Sequence, residues 1–261
     1  MEAEEALTRA GKIDEAFAKI ADEASAFGVT LKDDTAATLR RFAHRLLDAN
    51  DTMDLTAITD PREVAVKHFL DSLTIIPRIP ADAKTLADVG TGAGFPGLVI
   101  AIVRPDLRVA LIESIAKKAL FLEKIVDELD IPNVAVVCSR AEDTGRHPDM
   151  RDSFDVVVAR AVAETATLAE YLIPLVSIGG FALMQKSDIA LPEVRDGSNA
   201  ITAVGATVRR IDSIDVSKLA VISPDAATTL TGRSIVVLEK TSPTPDTYPR
   251  RVGVPTKRPM K

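Results

Sequence analysis

From residue 88 the chain reads Asp-Val-Gly-Thr-Gly-Ala-Gly-Phe-Pro-Gly, entered from an apolar segment and left through the apolar run 98–103. Gly90, Gly92 and Gly94 allow a backbone with positive φ and leave room for a ligand against the turn, and Pro96 suits the first turn of a following helix. The pattern is that of a strand, a glycine turn and a helix, which holds a nucleotide-like cofactor. The same letters contain Gly92-x-Gly94-x-x-Gly97, and an acidic residue, Glu113, follows at the distance a dinucleotide fingerprint requires. A carboxylate delivered to a strand end at 113 can accept both hydroxyls of a ribose, in NAD or in S-adenosylmethionine alike. A dinucleotide needs its pyrophosphate on helix N–H groups. The Gly90-x-Gly92-x-Gly94 register, two residues after Asp88, fits a methionine tail better, so the motif favours S-adenosylmethionine and leaves the dinucleotide open.

Two basic residues also fall at the ends of apolar strands. Arg160 closes the segment 154–159 and Lys186 closes the segment 180–185. At the carboxyl end of a parallel strand a side chain faces the ligand crevice. Arg160 is therefore a candidate for contact with the reacting groups, and Lys186 for contact with a substrate phosphate. His68 and Asp71, three residues apart beside Lys67, share a helix face, a spacing that by itself more often marks a surface pair. Cys138 ends an apolar strand and reads as an inert buried thiol. His44 and His147 have no evident partners, and Lys117 and Lys118 read as solvated helix residues.

The elements that must carry these residues are helical first and alternating later. Ile13, Phe17, Ile20, Ala24 and Phe27 recur at helical spacing, as do Leu39, Phe42 and Leu46 behind Asp33 and Asp34. Asp60-Pro61-Arg62-Glu63 is a helix start, with a capping aspartate, a first-turn proline and a glutamate three residues on, and this third helix should run to about Ile76. From Thr85 the spacing predicts strands at 85–89, 108–112, 134–138, 154–159 and 180–185, separated by helices at 97–104, 115–129, 164–176 and 192–204. Two late strands near 207–215 and 233–239 suit an antiparallel pair closing the sheet. Alternation of this kind means an α/β fold with a mostly parallel sheet covered on both faces.

Composition bounds the function. With 46% hydrophobic and 27% charged residues the chain is globular, and no apolar run is long enough to span a membrane. The acidic start Met1-Glu2-Ala3-Glu4-Glu5 is unlike a signal peptide, which points to the cytoplasm. One cysteine and three scattered histidines leave no cluster at metal-ligand spacing, so no metal is expected. Residues 1–35 carry nine acidic and four basic side chains, whereas residues 247–261 carry five basic and none acidic. A net charge of −6 argues against indiscriminate nucleic-acid binding. The proline-stiffened basic tail, with Arg250, Arg251, Lys257, Arg258 and Lys261, can still lay charge along an RNA backbone. On that reading its deletion weakens RNA binding and leaves the cofactor site intact.

Several segments together resemble a known family. Residues 50–58 (Asn-Asp-Thr-Met-Asp-Leu-Thr-Ala-Ile), 66–72 (Val-Lys-His-Phe-Leu-Asp-Ser) and the turn 88–97 are similar to the RsmG (GidB) family of 16S ribosomal RNA guanine-N7 methyltransferases. Ser139-Arg140-Ala141-Glu142-Asp143, Ala159-Arg160-Ala161, residues 232–237 (Gly-Arg-Ser-Ile-Val-Val), and Tyr248-Pro249-Arg250 with Pro255-x-Lys257-x-Pro259 match in the same order. The likeness covers the chain from about residue 40 onward.

The resemblance implies a class I, Rossmann-like methyltransferase with a seven-stranded sheet. The residue pattern divides the chain into an N-terminal helical extension, 1–80, an S-adenosylmethionine-binding domain, 81–246, and a basic tail, 247–261. The resemblance further implies that Gly90, Gly92 and Phe95 line the cofactor site, that Glu113 takes the ribose and that Ala141 and Glu142 flank the adenine. Arg160 would lie beside the methyl-transfer pocket, with His68 and Asp71 in the catalytic set. The implied substrate is 16S rRNA in the small ribosomal subunit, with no membrane and no stable protein partner.

Guanine N7 is already a nucleophile at neutral pH, so such a reaction needs positioning and no general base. Accordingly the residues after Arg160 lack the Asp/Asn-Pro-Pro-Tyr/Phe motif of exocyclic-amine methylation, and no Pro-Cys nucleophile occurs. The chain departs from the family pattern at Asp54, where an asparagine is usual, and at Ser187, where a glycine is usual. An NAD-dependent oxidoreductase and a nucleotide-binding protein without chemistry are the alternative readings.

Overall fold

The computed structural model describes residues 2–160, 162–187 and 190–260, with the side chains of residues 2–7 outside that description. Ala161 and Lys261, both named above, lie outside the described residues. Seven strands, β1 (Thr85–Val89), β2 (Arg108–Glu113), β3 (Val134–Cys138), β4 (Phe154–Arg160), β5 (Val176–Lys186), β6 (Ala206–Ser213) and β7 (Ser234–Lys240), form one sheet in the order β3-β2-β1-β4-β5-β7-β6. β1 to β5 run parallel, and β7 is antiparallel to both β5 and β6. This is the expected doubly wound, Rossmann-like methyltransferase architecture. The closing pair β6–β7 is antiparallel as expected, although two short helices, Ser217–Ile222 and Pro224–Leu230, intervene.

Alternation along the strands divides the core into two layers. Leu86, Val109, Leu111, Val156, Val158, Leu183, Ile235 and Val237 face one layer, which also holds Ile13, Phe17, Phe42, Leu46 and Phe69 from the N-terminal helices. Ala87, Val89, Ile112, Val157, Ala159, Met184 and Val236 face the other, packed against helix Thr165–Leu172, with Tyr248 and Met260 of the C-terminal segment against it. Residues of the N-terminal helices therefore share one apolar core with the sheet.

Element boundaries follow local chemistry. Asp60 caps its helix, Oδ1 accepting from the Glu63 N–H at 2.9 Å, with Pro61 in the first turn. That helix ends at Leu73 instead of about 76, and it is α-helical only at its ends: Val64–Leu70 is π-helical between Pro61–Glu63 and Asp71–Leu73. The predicted helix 164–176 stops at Leu172 because Pro174 has no N–H for a further turn, and a 3₁₀ turn, Ile173–Leu175, follows. The predicted helix 192–204 is two helices, Ala190–Asp196 and Ser198–Ala203, parted at Gly197. A Cβ there would stand 3.0 Å from the Ala166 amide nitrogen, so close approach to the neighbouring helix selects glycine.

Candidate active site

The carboxyl ends of β1 and β4 meet where the strand order reverses, the position at which open α/β sheets bind ligands. On the β1 side the turn is held by two buried carboxylates. Asp88 is wholly buried and its Oδ2 accepts the Gly97 N–H at 2.7 Å. Any Cβ at 97 would press within 2.6 Å of Asp88 Cβ, which is why residue 97 is glycine. Burial pushes the Asp88 carboxyl up to about 6, with the Gly97 N–H and the charge of Arg160 pulling the other way. Glu113, at the end of β2, accepts the Gly92 N–H on Oε2 at 2.9 Å and the Ile115 N–H on Oε1 at 2.8 Å. Gly90 has φ +71°, and a Cβ on it would lie 2.8 Å from Val162 Cγ2, so Val162, two residues beyond β4, rests directly on the glycine turn.

Two cavities open at this crevice, with Val162 on the wall of both. One, of about 350 Å³, is lined by Gly90, Ile112, Ser114, Ser139, Ala141 and Glu142, among others. The other, of about 670 Å³, is lined by Lys67, His68, Asp71, Arg160, Lys186 and Arg233, among others. The predicted cofactor residues Gly90, Ala141 and Glu142 thus gather on the first cavity, and the predicted catalytic residues Arg160, His68 and Asp71 gather on the second.

The second cavity is organised around Arg160. Its Nη1 donates to the Lys67 carbonyl at 2.8 Å and to Asp71 Oδ2 at 3.0 Å, and its Nη2 lies 3.3 Å from His68 Nδ1. The π-helical segment makes this possible. In an α-helix the Asp71 N–H would bond the Lys67 carbonyl; here it reaches back to Val66 and His68, and the Lys67 carbonyl is released to the guanidinium. His68 Nε2 meets Thr56 Oγ1 at 2.8 Å. With Nδ1 facing a permanent donor, the neutral ring carries its proton on Nε2, an assignment that follows from the hydrogen bonds. Burial, reinforced by the charges of Arg160 and Lys67, lowers the imidazole to about 3. His68 is therefore neutral at physiological pH and holds Arg160; it is no general acid there. Asp71 Oδ1 lies 3.5 Å from Arg233 Nε, so one buried carboxylate is shared by two guanidinium groups. Gln185 supports the same helix from β5, its Nε2 donating to the Asp71 carbonyl at 2.8 Å.

Four sequence-based expectations change. Phe95 lines neither of these cavities: the residue is 4% exposed, its ring stacked on His68 at 4.6 Å and on Phe42 at 5.2 Å, with the Arg160 guanidinium 5.4 Å from its centroid. It is a floor beneath Arg160. Glu113 spends one lone pair of each oxygen on the turn, so its first task is to fix the backbone of Gly92. Lys186 is not free for phosphate, because its Nζ donates to Glu193 Oε2 at 2.6 Å and to the Ala163 carbonyl at 2.7 Å, and the side chain is buried. Cys138 is exposed instead of buried.

The basic tail is also different. Arg250 donates to Glu170 from its backbone N–H at 2.6 Å and from Nη2 at 2.7 Å, and Glu170 is fully buried. Its charge is used inside the protein, whereas Arg251, Lys257 and Arg258 are exposed. The segment is folded onto the sheet domain with a short helix, Val254–Lys257, so the extended form expected from its prolines is not adopted.

The departures from the family pattern have local explanations. Asp54 takes the left-handed conformation after helix Asp33–Met53, with φ +47°, a position that aspartate tolerates. Asn50 supplies the amide chemistry there, accepting from the Leu55 and Thr56 N–H groups and donating to the Thr56 carbonyl. The Ser187 carbonyl accepts from the Ser234 hydroxyl at 3.0 Å. Thr56, Glu170, Tyr171, Gln185, Glu193 and Arg233 were given no role from sequence. Thr56 and Arg233 carried a signal, their places in the segments 50–58 and 232–237.

The carboxylates, neutral imidazole and glycine turn fit S-adenosylmethionine. Gly92, with φ +61°, has open space where a Cβ would point, as a ligand lying on the backbone requires. Among the described residues no group of three or more His, Cys, Asp or Glu side chains could hold a metal ion, and no helix is long and apolar enough to cross a membrane.

Comparison with known proteins agrees with this architecture. The family model described as GidB, rRNA small subunit methyltransferase G, matches residues 35–221. A ribosomal RNA small subunit methyltransferase G from Pelotomaculum thermopropionicum is 41% identical over 244 residues, covering 92% of this chain and 97% of the relative. Relatives of the same name from Desulfitobacterium hafniense (40% identical, 89% of this chain and 92% of the relative) and Roseiflexus castenholzii (41%, 91% and 97%) match over comparable lengths. The chain belongs to the GidB family, rRNA small subunit methyltransferase G.

Proposed function

We propose that the protein transfers a methyl group from S-adenosylmethionine to N7 of a guanine in 16S rRNA of the small ribosomal subunit, acting in the cytoplasm. The observation that carries this reading is the pair of adjoining cavities divided by Val162, one over the glycine turn and one over Arg160. In the first, Gly90, Ala141 and Glu142 hold the cofactor, beside the Gly92 backbone that Glu113 braces, and each Glu113 oxygen keeps a second lone pair for a ribose hydroxyl. When bound, the cofactor supplies an electrophilic sulfonium methyl.

The second cavity receives the base, and its chemistry suits N7. A nucleophile that already has a free in-plane lone pair loses no proton on attack, so no residue has to serve as base. Here none is poised to: His68 is neutral and held by Arg160 and Thr56, and Asp71 is ion-paired. The residues instead fix geometry. Asp71, the Lys67 carbonyl and Phe95 clamp Arg160, whose position beside the crevice suits O6 or a phosphate of the nucleotide better than N7, where positive charge develops. Arg233 lines the same cavity and meets the RNA backbone, whereas the Lys67 ammonium is ion-paired with Glu63. Arg251, Lys257 and Arg258 are the exposed tail cations available for further phosphate contacts.

Small subunits from a strain lacking the homologous enzyme, incubated with protein and labelled S-adenosylmethionine, should show one site of borohydride- and aniline-induced cleavage at a guanine. Label that resists this cleavage would place the methyl elsewhere than N7. Calorimetry should give saturable heat with S-adenosylhomocysteine and none with NAD; the reverse would favour the oxidoreductase.

A further inference from the structure

The C-terminal segment does more than cover the sheet. Val252, Gly253 and Thr256 line the same cavity as Gly90, Ser114, Ser139 and Ala141. The connection runs through Glu142, which is buried. Its Oε1 accepts the Gly253 N–H at 2.8 Å and the Tyr171 hydroxyl at 3.3 Å. The Tyr171 hydroxyl also meets Thr256 Oγ1 at 2.8 Å, and Thr167 Oγ1 donates to the Pro255 carbonyl at 3.2 Å. Gly253 has φ +76°, a conformation that glycine adopts without strain, and in that conformation its N–H is bonded to Glu142.

The segment is also fastened on the approach to the cavity. Arg250 is locked to the fully buried Glu170. Arg151 donates to the carbonyls of Gly145, Thr244 and Tyr248 at 2.7 to 2.9 Å. A charge-assisted, bidentate pair on a buried carboxylate holds one geometry, because leaving that carboxylate unpaired is strongly unfavourable. A solvated arm that came and went would break it each time.

We infer that residues 252–256 form the outer wall of the cofactor cavity, and that Glu142 couples this wall to the residues flanking the adenine. The inference rests on the proposed S-adenosylmethionine site and adds that the C-terminus is part of it. The ligand group it would meet is the adenosine end of the cofactor, since the wall lines one cavity with Ser139 and Ala141. It reverses the sequence expectation that the tail can be deleted without loss of cofactor affinity.

The chain contains no tryptophan, which provides a clean reporter. Val252 is 50% exposed and Val221 is 86% exposed, so either accepts a larger side chain. In Val252→Trp, emission should change saturably with S-adenosylhomocysteine at the midpoint that calorimetry gives; in Val221→Trp it should not change. Arg250→Met, in the full chain, should bind S-adenosylhomocysteine at least tenfold more weakly, while Lys218→Ala, at an exposed position elsewhere, binds as the parent does. A Val252→Trp protein that gives saturable heat with silent emission overturns the inference, as does an Arg250→Met protein with parental affinity. Absence of heat with the unsubstituted protein would instead overturn the methyltransferase reading beneath it. Should Arg250→Met fail to fold, the tryptophan pair still decides.

Discussion

The two sides of the crevice are built from different materials. On the β1 side, side-chain carboxylates serve the backbone: Asp88 and Glu113 accept amides of Gly97, Gly92 and Ile115, and the turn they fix presents main chain to the ligand. On the β4 side the backbone serves a side chain, since a π-helical segment releases the Lys67 carbonyl so that Arg160 can be held. The difference teaches how each half responds to damage. A backbone site fails when a glycine or its carboxylate brace is lost, whereas the side-chain site fails when any one partner leaves a buried charge uncompensated.

The largest effect should follow from Arg160→Ala, which strands Asp71, 3% exposed as a side chain, beside Arg233 alone. Turnover should fall at least about a hundredfold through lost positioning, and denaturant unfolding should show a loss of about 3 to 5 kcal/mol. An arginine serving the crevice alone would cost activity and no stability; the buried pair predicts both losses. Arg160→Lys keeps the charge without the fork and should recover part of the stability but little of the turnover. Equal recovery of both would show that charge alone matters on this side.

Next in size is the brace of the other side. Glu113→Ala removes a charged acceptor from two amides, and S-adenosylhomocysteine affinity should fall by about 1.5 to 3 kcal/mol, measured by calorimetry. Turnover at saturating cofactor should be far less affected than in Arg160→Ala. If turnover at saturation falls equally, the two sides do not act separately.

The pH dependence of stability sharpens the contrast, because one group on each side titrates abnormally and with opposite sign. The lowered His68 pKa means that the unfolded chain takes up a proton the folded protein refuses, so its stabilising contribution is present above about 6.5 and is lost as pH falls toward 3. Raised to about 6, Asp88 contributes in the opposite sense, its share being present below about 3.8 and lost as pH rises through 6. Whatever His68→Gln changes at pH 7, the stability gap between variant and parent should narrow by about 2 kcal/mol at pH 5, measured by urea unfolding. A gap independent of pH would mean that His68 is not buried neutral.

The smallest effect belongs to the exposed tail. Substituting Arg251, Lys257 and Arg258 together by alanine should leave the fold intact and flatten the salt dependence of RNA binding by about 0.7 to 0.9 for each phosphate no longer neutralised. An unchanged slope would remove the tail from the RNA interface.

How far each half could be read from sequence follows the same division. The glycine turn was legible because local backbone demands write themselves as residue types: Gly90 and Gly92 need positive φ and Gly97 needs to lie against Asp88. Apolar runs placed β1, β2 and β4 within a residue or two for a similar reason, since a strand buried on both faces must be apolar throughout; the edge strand β3 is only partly buried, which is why Cys138 was misread as buried. The roles of Phe95, Lys186 and Arg250 were misread because each depends on a partner far away in the chain or hidden by the fold. A phenylalanine in a ligand loop, a lysine at a strand end and an arginine in a basic tail look available until His68, Glu193 and Glu170 are found against them.

Sequence by itself therefore determined the sheet, the cofactor turn and the family, all set by short-range patterns of glycine, apolar alternation and motif order. Tertiary structure alone decided which charges remain available. Burial makes an unpaired charge so unfavourable that the fold must match each buried cation with a carboxylate or a carbonyl, and those matches, Arg160 with Asp71 and the Lys67 carbonyl, Arg250 with Glu170, join residues 80 to 93 positions apart.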